Sequence, residues 1–282
     1  LRKRCCNQRK AIQPAEDGRL FFWQHKVKTM RAAVGSLLLG LMMLITVIPF
    51  AFLTLLWSPL PLHWRYRLTV GWPKAMLWVG RWCCGMRWTS KGWDKWPDGP
   101  AIIMPKHQST WETFFLISYM PREAVFVFKR ELLWVPFFGW GLGLLRMIHI
   151  DRSKGADAFE QVVLQGAEKL AQGRWIVMFP EGTRTLPGRE GRYKTGGARL
   201  ALRTGVPVVP IAVNSGECWP KGGWIKRPGL ITVSIGDPIT TQGKTAEAIT
   251  EAVRGWIEAE MRVLNPERYL PEHKPLTVRS KP

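Results

Sequence analysis

Acidic residues are scarce in this sequence: 21 Asp and Glu stand against 41 Lys and Arg, a formal charge of +20 over 282 residues. Such an imbalance points to an anionic partner, which can be nucleic acid, a membrane surface or a substrate. Cysteines are few and poorly placed for structural work. Cys5-Cys6 and Cys83-Cys84 are adjacent pairs and Cys218 stands alone, so neither a disulfide framework nor the separated pairs of a zinc site is expected, and a reducing compartment fits. No glycine-rich nucleotide loop occurs, Gly139-Trp140-Gly141-Leu142-Gly143 being better suited to close packing or membrane contact. No internal repeat is evident. The glycine-x-serine-x-glycine elbow of serine hydrolases does not surround Ser109, which leaves that serine a capping or packing residue rather than a covalent nucleophile.

What the chain does have is tryptophan, 16 in all, with Trp57, Trp64, Trp72, Trp78, Trp82 and Trp88 gathered near one apolar segment. Indoles concentrate where a protein meets lipid headgroups. From Ala32 to Trp57 the sequence runs for 26 residues without a charge, longer than a hydrocarbon core requires, and Ser58-Pro59-Leu60-Pro61 does not resemble a signal-peptide cleavage site. An uncleaved membrane attachment is expected. Basic residues flank the segment on both sides, so orientation is not fixed by charge; it either spans once or, as the preferred expectation, turns at Pro49, with residues 68–86 lying as an amphipathic helix on the interface. Residues 1–29 read as a basic extension ahead of Met30, a candidate natural start. They carry eight Lys or Arg and two Asp or Glu, so the chain stays strongly basic without them. The expected organisation is therefore an extension (1–29), attachment helices (30–91), a catalytic domain (92–265) and a loose basic tail (266–282).

Past Gly92, short apolar runs alternate with helical patterns. Strands are expected at Ala101–Met104, Val125–Phe128, Met147–Ile150, Trp175–Phe179, Val208–Val213 and Ile231–Ile235. Helices are expected at Ala158–Gln172, Thr195–Thr204 and Ala246–Leu264, the first two stopped by Gly173 and Gly205. This alternation predicts an α/β fold with a mixed, largely parallel sheet covered by helices on both faces, its sites at strand ends.

Pro105 closes the first of these strands, and Lys106-His107-Gln108-Ser109-Thr110-Trp111-Glu112 follows. His107 then sits on a strand-to-helix loop, with Glu112 in the first helical turn, where a carboxylate is favoured and can accept the imidazole N–H. An imidazole oriented in this way is suited to removing a hydroxyl proton near neutral pH. Phe179-Pro180-Glu181-Gly182-Thr183-Arg184 also follows a strand. It offers a guanidinium, a hydroxyl and a glycine backbone, the parts of a phosphate site. Lys129, Arg130, Arg152 and Lys194 lie just past other strand ends or beyond the Arg184 loop. The proline-containing run Val209 to Val213 reads as core.

Together, in order and spacing, these segments resemble the glycerolipid acyltransferase family, and in particular its bacterial members that act on 1-acylglycerol-3-phosphate. The first motif corresponds to His107 through Glu112, with glutamate where the family usually has aspartate; the second to Ile148 through Arg152; the third to Glu181-Gly182-Thr183-Arg184; the fourth to the strand around Pro210. Phe128-Lys129-Arg130-Glu131-Leu132 is similar to a further basic segment of these enzymes. The resemblance implies acyl transfer from coenzyme A or acyl carrier protein to the 2-hydroxyl of lysophosphatidate, giving phosphatidate without metal or bound cofactor. It implies His107 as base and Glu112 as its orienting partner. Arg152, Glu181, Gly182, Thr183, Arg184 and Lys129 would serve the phosphate. Expected partners are the two substrates and anionic membrane lipids, not nucleic acid, with the catalytic domain on the cytoplasmic side of a bacterial inner membrane. Two other readings stay open: acylation of another lysolipid, such as a lyso-ornithine lipid, and a non-catalytic basic protein bound to the membrane.

Overall fold

The computed structural model describes residues 14–136, 138–151, 153 and 156–269. Two helices open the chain, α1 (Pro14–Leu56) and α2 (Leu62–Cys84), packed against each other. Within α1, Met30–Leu56 is long and apolar enough to cross a membrane by length and composition. Much of that stretch faces outward, including Leu37, Leu44, Ile45 and Leu56. The expected reversal at Pro49 does not occur, because α1 runs through this proline. The chain turns instead at Trp57–Pro61. A proline inside a helix costs one backbone hydrogen bond, whereas Pro59 and Pro61, two residues apart, supply a stronger stop. The helical stretch 14–29 continues into α1, while residues 1–13 of the expected extension and residues 270–282 of the expected tail lie outside the described residues.

Among the described residues seven strands follow: β1 (Met86–Lys91), β2 (Ile102–Pro105), β3 (Ala124–Lys129), β4 (Ile148–Ile150), β5 (Trp175–Val177), β6 (Val208–Val213) and β7 (Gly229–Ile235). Their order in the sheet is β1-β7-β6-β2-β5-β3-β4. All neighbours are parallel except β6 and β7, which makes the sheet mixed and largely parallel, as expected. Strand β1 was not anticipated, since Met86-Arg87-Trp88-Thr89-Ser90-Lys91 has no apolar run. It is an edge strand that buries Met86 and pairs only with β7. Gly85, at φ 70°, ends α2 in the left-handed conformation and redirects the chain into β1.

Strands β2 and β6 are buried along their whole length, which explains their unbroken apolar sequences. The helices α5 (Ala156–Ala171), α6 (Gly196–Thr204) and α7 (Ala246–Leu264) pack side by side as one layer. A second group is formed by α3 (Trp111–Tyr119) against α2, and by α4 (Phe138–Leu144) against α1. Gly139 is a packing glycine: a Cβ there would lie 2.1 Å from the Leu133 carbonyl oxygen. Because β2 to β6 run parallel, their carboxyl ends and the loops after them share one edge of the sheet.

Candidate active site

At that edge, Pro105 ends β2 and the next residue turns inward. Lys106 donates its backbone N–H to the Ile211 carbonyl, and its side chain is fully buried. The following residue faces the other way, placing the His107 imidazole at the wall of a cavity, stacked on Phe179 with ring centroids 3.8 Å apart. The histidine is also held by its main chain, whose carbonyl accepts from the N–H and the hydroxyl of Thr185 at 2.7 and 3.1 Å.

Nδ1 of His107 lies 2.8 Å from Oε1 of Glu112. A carboxylate only accepts, so Nδ1 carries the hydrogen and Nε2 keeps its lone pair for a substrate. Glu112 is itself fixed. Its Oε1 also accepts from the N–H groups of Gln108 and Ser109 at 2.8 and 2.7 Å, and its Oε2 accepts from the hydroxyls of Ser109 and Ser215. Burial pushes the Glu112 carboxyl up, but the hydrogen bond and charge of His107 and the two hydroxyls outweigh it and hold the group below the usual carboxylate range. The methylene by which glutamate exceeds aspartate is accommodated because α3 starts at Trp111, leaving Glu112 in its first turn with its side chain folded back under the loop. Ser109 accepts from the Trp111 N–H at 2.9 Å, as a capping residue does.

Behind the histidine lies a buried charge cluster. Lys106 Nζ stands 2.5 Å from Glu258 Oε1 on α7 and 3.5 Å from Glu181 Oε1, and it donates to the Arg189 carbonyl at 3.3 Å. Tyr193 donates its hydroxyl to Glu258 at 2.8 Å. Burial pushes the Glu181 carboxyl up to about 7 against the lowering effect of Lys106.

Glu181 was expected to serve the phosphate. It faces inward instead, buried, accepting weakly from the His107 N–H at 3.4 Å. The reason is electrostatic: the Lys106 ammonium and a main-chain N–H attract the carboxylate from the protein side. Thr183 is exposed and does not line the cavity. Gly182, at φ 66°, does line it, and a Cβ there would come within 2.9 Å of Lys194 Nζ. Arg184, Lys129 and Lys194 line the same cavity and form no ion pair among the described residues. Arg130 does not join them; it pairs with Asp151 at 2.9 Å. Arg152 lies outside the described residues.

The cavity measures about 680 Å³, and among the described residues no acidic side chain lines it. Away from the three cations its wall is apolar, built from Val47, Phe50 and Ala51 of α1, Trp72 of α2, and Phe126 and Met147 of the sheet region. Volume and lining suit a long apolar chain with an anionic end.

Two positioning residues escaped the sequence reading. Ser215 follows β6, the strand hydrogen-bonded beside β2, and the rule that singled out residues past strand ends applies to it equally. Thr185 lies one position beyond the Glu181–Arg184 segment, and no sequence signal distinguishes it. Cys83, Cys84 and Cys218 are free, and among the described residues there is no group of three or more His, Cys, Asp or Glu placed to hold a metal.

The acyltransferase family model matches residues 87–214, the span from β1 to the turn after β6. A 1-acyl-sn-glycerol-3-phosphate acyltransferase of Pseudomonas aeruginosa is 44% identical over 211 residues, covering 73% of this chain and 82% of that one. The mouse 1-acyl-sn-glycerol-3-phosphate acyltransferase alpha is 31% identical over 163 residues, 56% of this chain and 57% of its own. The crystal structure of the 1-acyl-sn-glycerophosphate acyltransferase PlsC from Thermotoga maritima superposes with a TM-score of 0.68 at 21% identity, over 84% of this chain and 98% of that one, a likeness of fold. The chain belongs to the acyltransferase family.

Proposed function

We propose that this protein transfers a fatty acyl group from a thioester, of coenzyme A or acyl carrier protein, to the 2-hydroxyl of 1-acyl-sn-glycerol-3-phosphate, forming phosphatidate for phospholipid synthesis. The observation that carries the reading is the cavity itself: an apolar chamber, continuous with the membrane-attachment helices, has an oriented imidazole in its wall and, among the described residues, Lys129, Arg184 and Lys194 as its charged lining. The similarity to the Pseudomonas relative supports the same acceptor.

In this mechanism Nε2 of His107 takes the proton of the acceptor hydroxyl as its oxygen attacks the thioester carbonyl. Glu112 holds the tautomer and stabilises the imidazolium. Collapse of the tetrahedral intermediate breaks the C–S bond, and the departing thiolate receives the proton from His107. Arg184 and Lys129 hold the phosphate, with Arg152 as a third candidate from the motif. The helices α1 and α2 attach the enzyme to a bilayer, and we place it at the bacterial inner membrane with the site on the cytoplasmic side.

The test is release of free thiol with a panel of acceptors. Lysophosphatidate should be acylated and an acceptor lacking phosphate should not; equal turnover of a lyso-ornithine lipid would replace the acceptor in this reading. His107→Ala should abolish transfer while the protein still folds and associates with membrane. Retained turnover would sink the mechanism.

A further inference from the structure

The segment joining β6 to β7 is longer than a strand connection needs, and its tip carries Trp224, 91% exposed, beside Ile225, 43% exposed. The loop is nevertheless built. Trp219 is buried at its base with the Lys226 ammonium 5.1 Å from its ring centre. Lys226 Nζ ties the tip by donating to the carbonyls of Gly223 and Trp224 at 2.8 and 3.1 Å, and the Arg227 N–H donates to the Cys218 carbonyl at 2.8 Å. A large side chain held out in water by a tied loop loses contact energy without an evident structural return.

Two observations say what covers it. The loop is fastened to the apolar helix, the Lys226 N–H donating to Ser36 Oγ of α1 at 2.7 Å, and exposed Val34, Leu37 and Leu38 flank that serine in sequence. Its charges are of one sign: Lys221, Lys226 and Arg227, with no acid between Pro220 and Pro228. An indole and an aliphatic tip flanked by cations, continuous with an apolar helix, match an anionic bilayer surface.

We propose that loop 220–228 is a second membrane contact, inserting Trp224 and Ile225 among the headgroups of anionic lipids. The proposal rests on the membrane attachment of α1 set out above and adds to it a contact from the catalytic domain. It also fixes where the site faces. Lys221 Nζ donates to the Arg184 carbonyl at 2.8 Å, so the loop grips the lipid surface beside the turn that would receive the acceptor's phosphate.

The experiment labels the full chain at Trp224→Cys with an environment-sensitive fluorophore, with the parent chain taken through the same labelling as background. Addition of vesicles of phosphatidylcholine with 30% phosphatidylglycerol should shift the emission to the blue and make it sensitive to shallow lipid-borne quenchers. A label that stays in water while the protein co-floats with the vesicles overturns the proposal. Arg227→Gln should weaken binding to these vesicles roughly fivefold and leave binding to neutral ones unchanged; equal loss on both would remove the electrostatic part. The double variant Trp224→Ala, Ile225→Ala should lower acylation of vesicle-borne lysophosphatidate several-fold while turnover of a short-chain, monomeric acceptor is kept. The fluorescence arm requires no turnover, so failure of the proposed activity and failure of this contact are separate results.

Discussion

Lys106 and Glu258 are 152 residues apart in sequence, yet ammonium and carboxylate meet at 2.5 Å with both side chains sealed from solvent. The pair joins α7, which lies beyond the region matched by the family model, to the residue immediately before the proposed base. Removing one member of a buried pair leaves an uncompensated charge, at a cost of about 3–5 kcal/mol. Glu258→Ala should therefore lower the denaturation midpoint strongly, and Glu258→Gln by less because it keeps an acceptor for Lys106 and Tyr193. If Glu258→Ala unfolds at the parental midpoint, Glu181 alone satisfies Lys106 and the link to α7 is dispensable.

Glu181 gives the cluster a pH dependence of predictable sign. Its carboxyl is held up to about 7 in the folded chain against an ordinary 4.5. Between those values the native state binds more protons than the unfolded one, so this group's contribution is full below about 4.5 and fades as pH rises to about 7. Glu112 acts in the opposite sense: lowered in the fold, its contribution is present above the ordinary range and is lost as pH falls through its folded value. Thermal melts of Glu181→Gln across this window should show a shallower decline with rising pH than the parent. An identical slope would contradict the assignment of the raised carboxyl.

The six expected strands and the helices α5, α6 and α7 were legible because buried strands and amphipathic helices leave different apolar periods, whereas the glycine-rich α4 leaves none. β1 was not, since a half-exposed edge strand writes no such period. The reversal after α1 was misplaced for a related reason: Pro49 is a helix breaker in isolation, but nothing local reveals that α2 packs along α1 and that the chain can turn later. At the site, the pair of His107 and Glu112 could be read because five residues suffice to bring them together. The inward turn of Glu181 could not, because its partners, the Lys106 ammonium and the His107 N–H, come from the end of β2, and Lys106 is held there in turn by Glu258 of α7; sequence distance hides that junction.

The five contacts on Glu112 make its charge, and not merely its shape, the quantity to test. Glu112→Gln preserves size but presents an amide to donors that all require an acceptor, and it loses the negative charge opposite the imidazolium. We expect kcat to fall on the order of 10²–10⁴-fold with KM nearly unchanged. Ser215→Ala removes one of those donors while leaving His107 and Glu112 in place. It should cost about tenfold in kcat, in line with one hydrogen bond to a charged group at about 1.5 kcal/mol. A Ser215→Ala enzyme with full kcat would show that the other four contacts already fix the carboxylate.

Arg184, Lys129 and Thr183 separate cavity charge from motif membership. Arg184 and Lys129 line the cavity without ion-pair partners among the described residues, whereas Thr183 points to solvent outside it. If cations hold the acceptor's phosphate in the ground state, Arg184→Ala should raise KM for lysophosphatidate by roughly 10- to 100-fold, the value of a charge-assisted contact of about 1.5–3 kcal/mol. Arg184→Lys should recover only part of this, since a point charge replaces a planar fork. Lys129→Ala should show a smaller rise. Thr183→Ala should change neither constant. The comparison must include a thioester titration, because a loss that appears in donor KM instead would place the arginine at the phosphates of the acyl carrier and move the acceptor's phosphate elsewhere along the sheet edge.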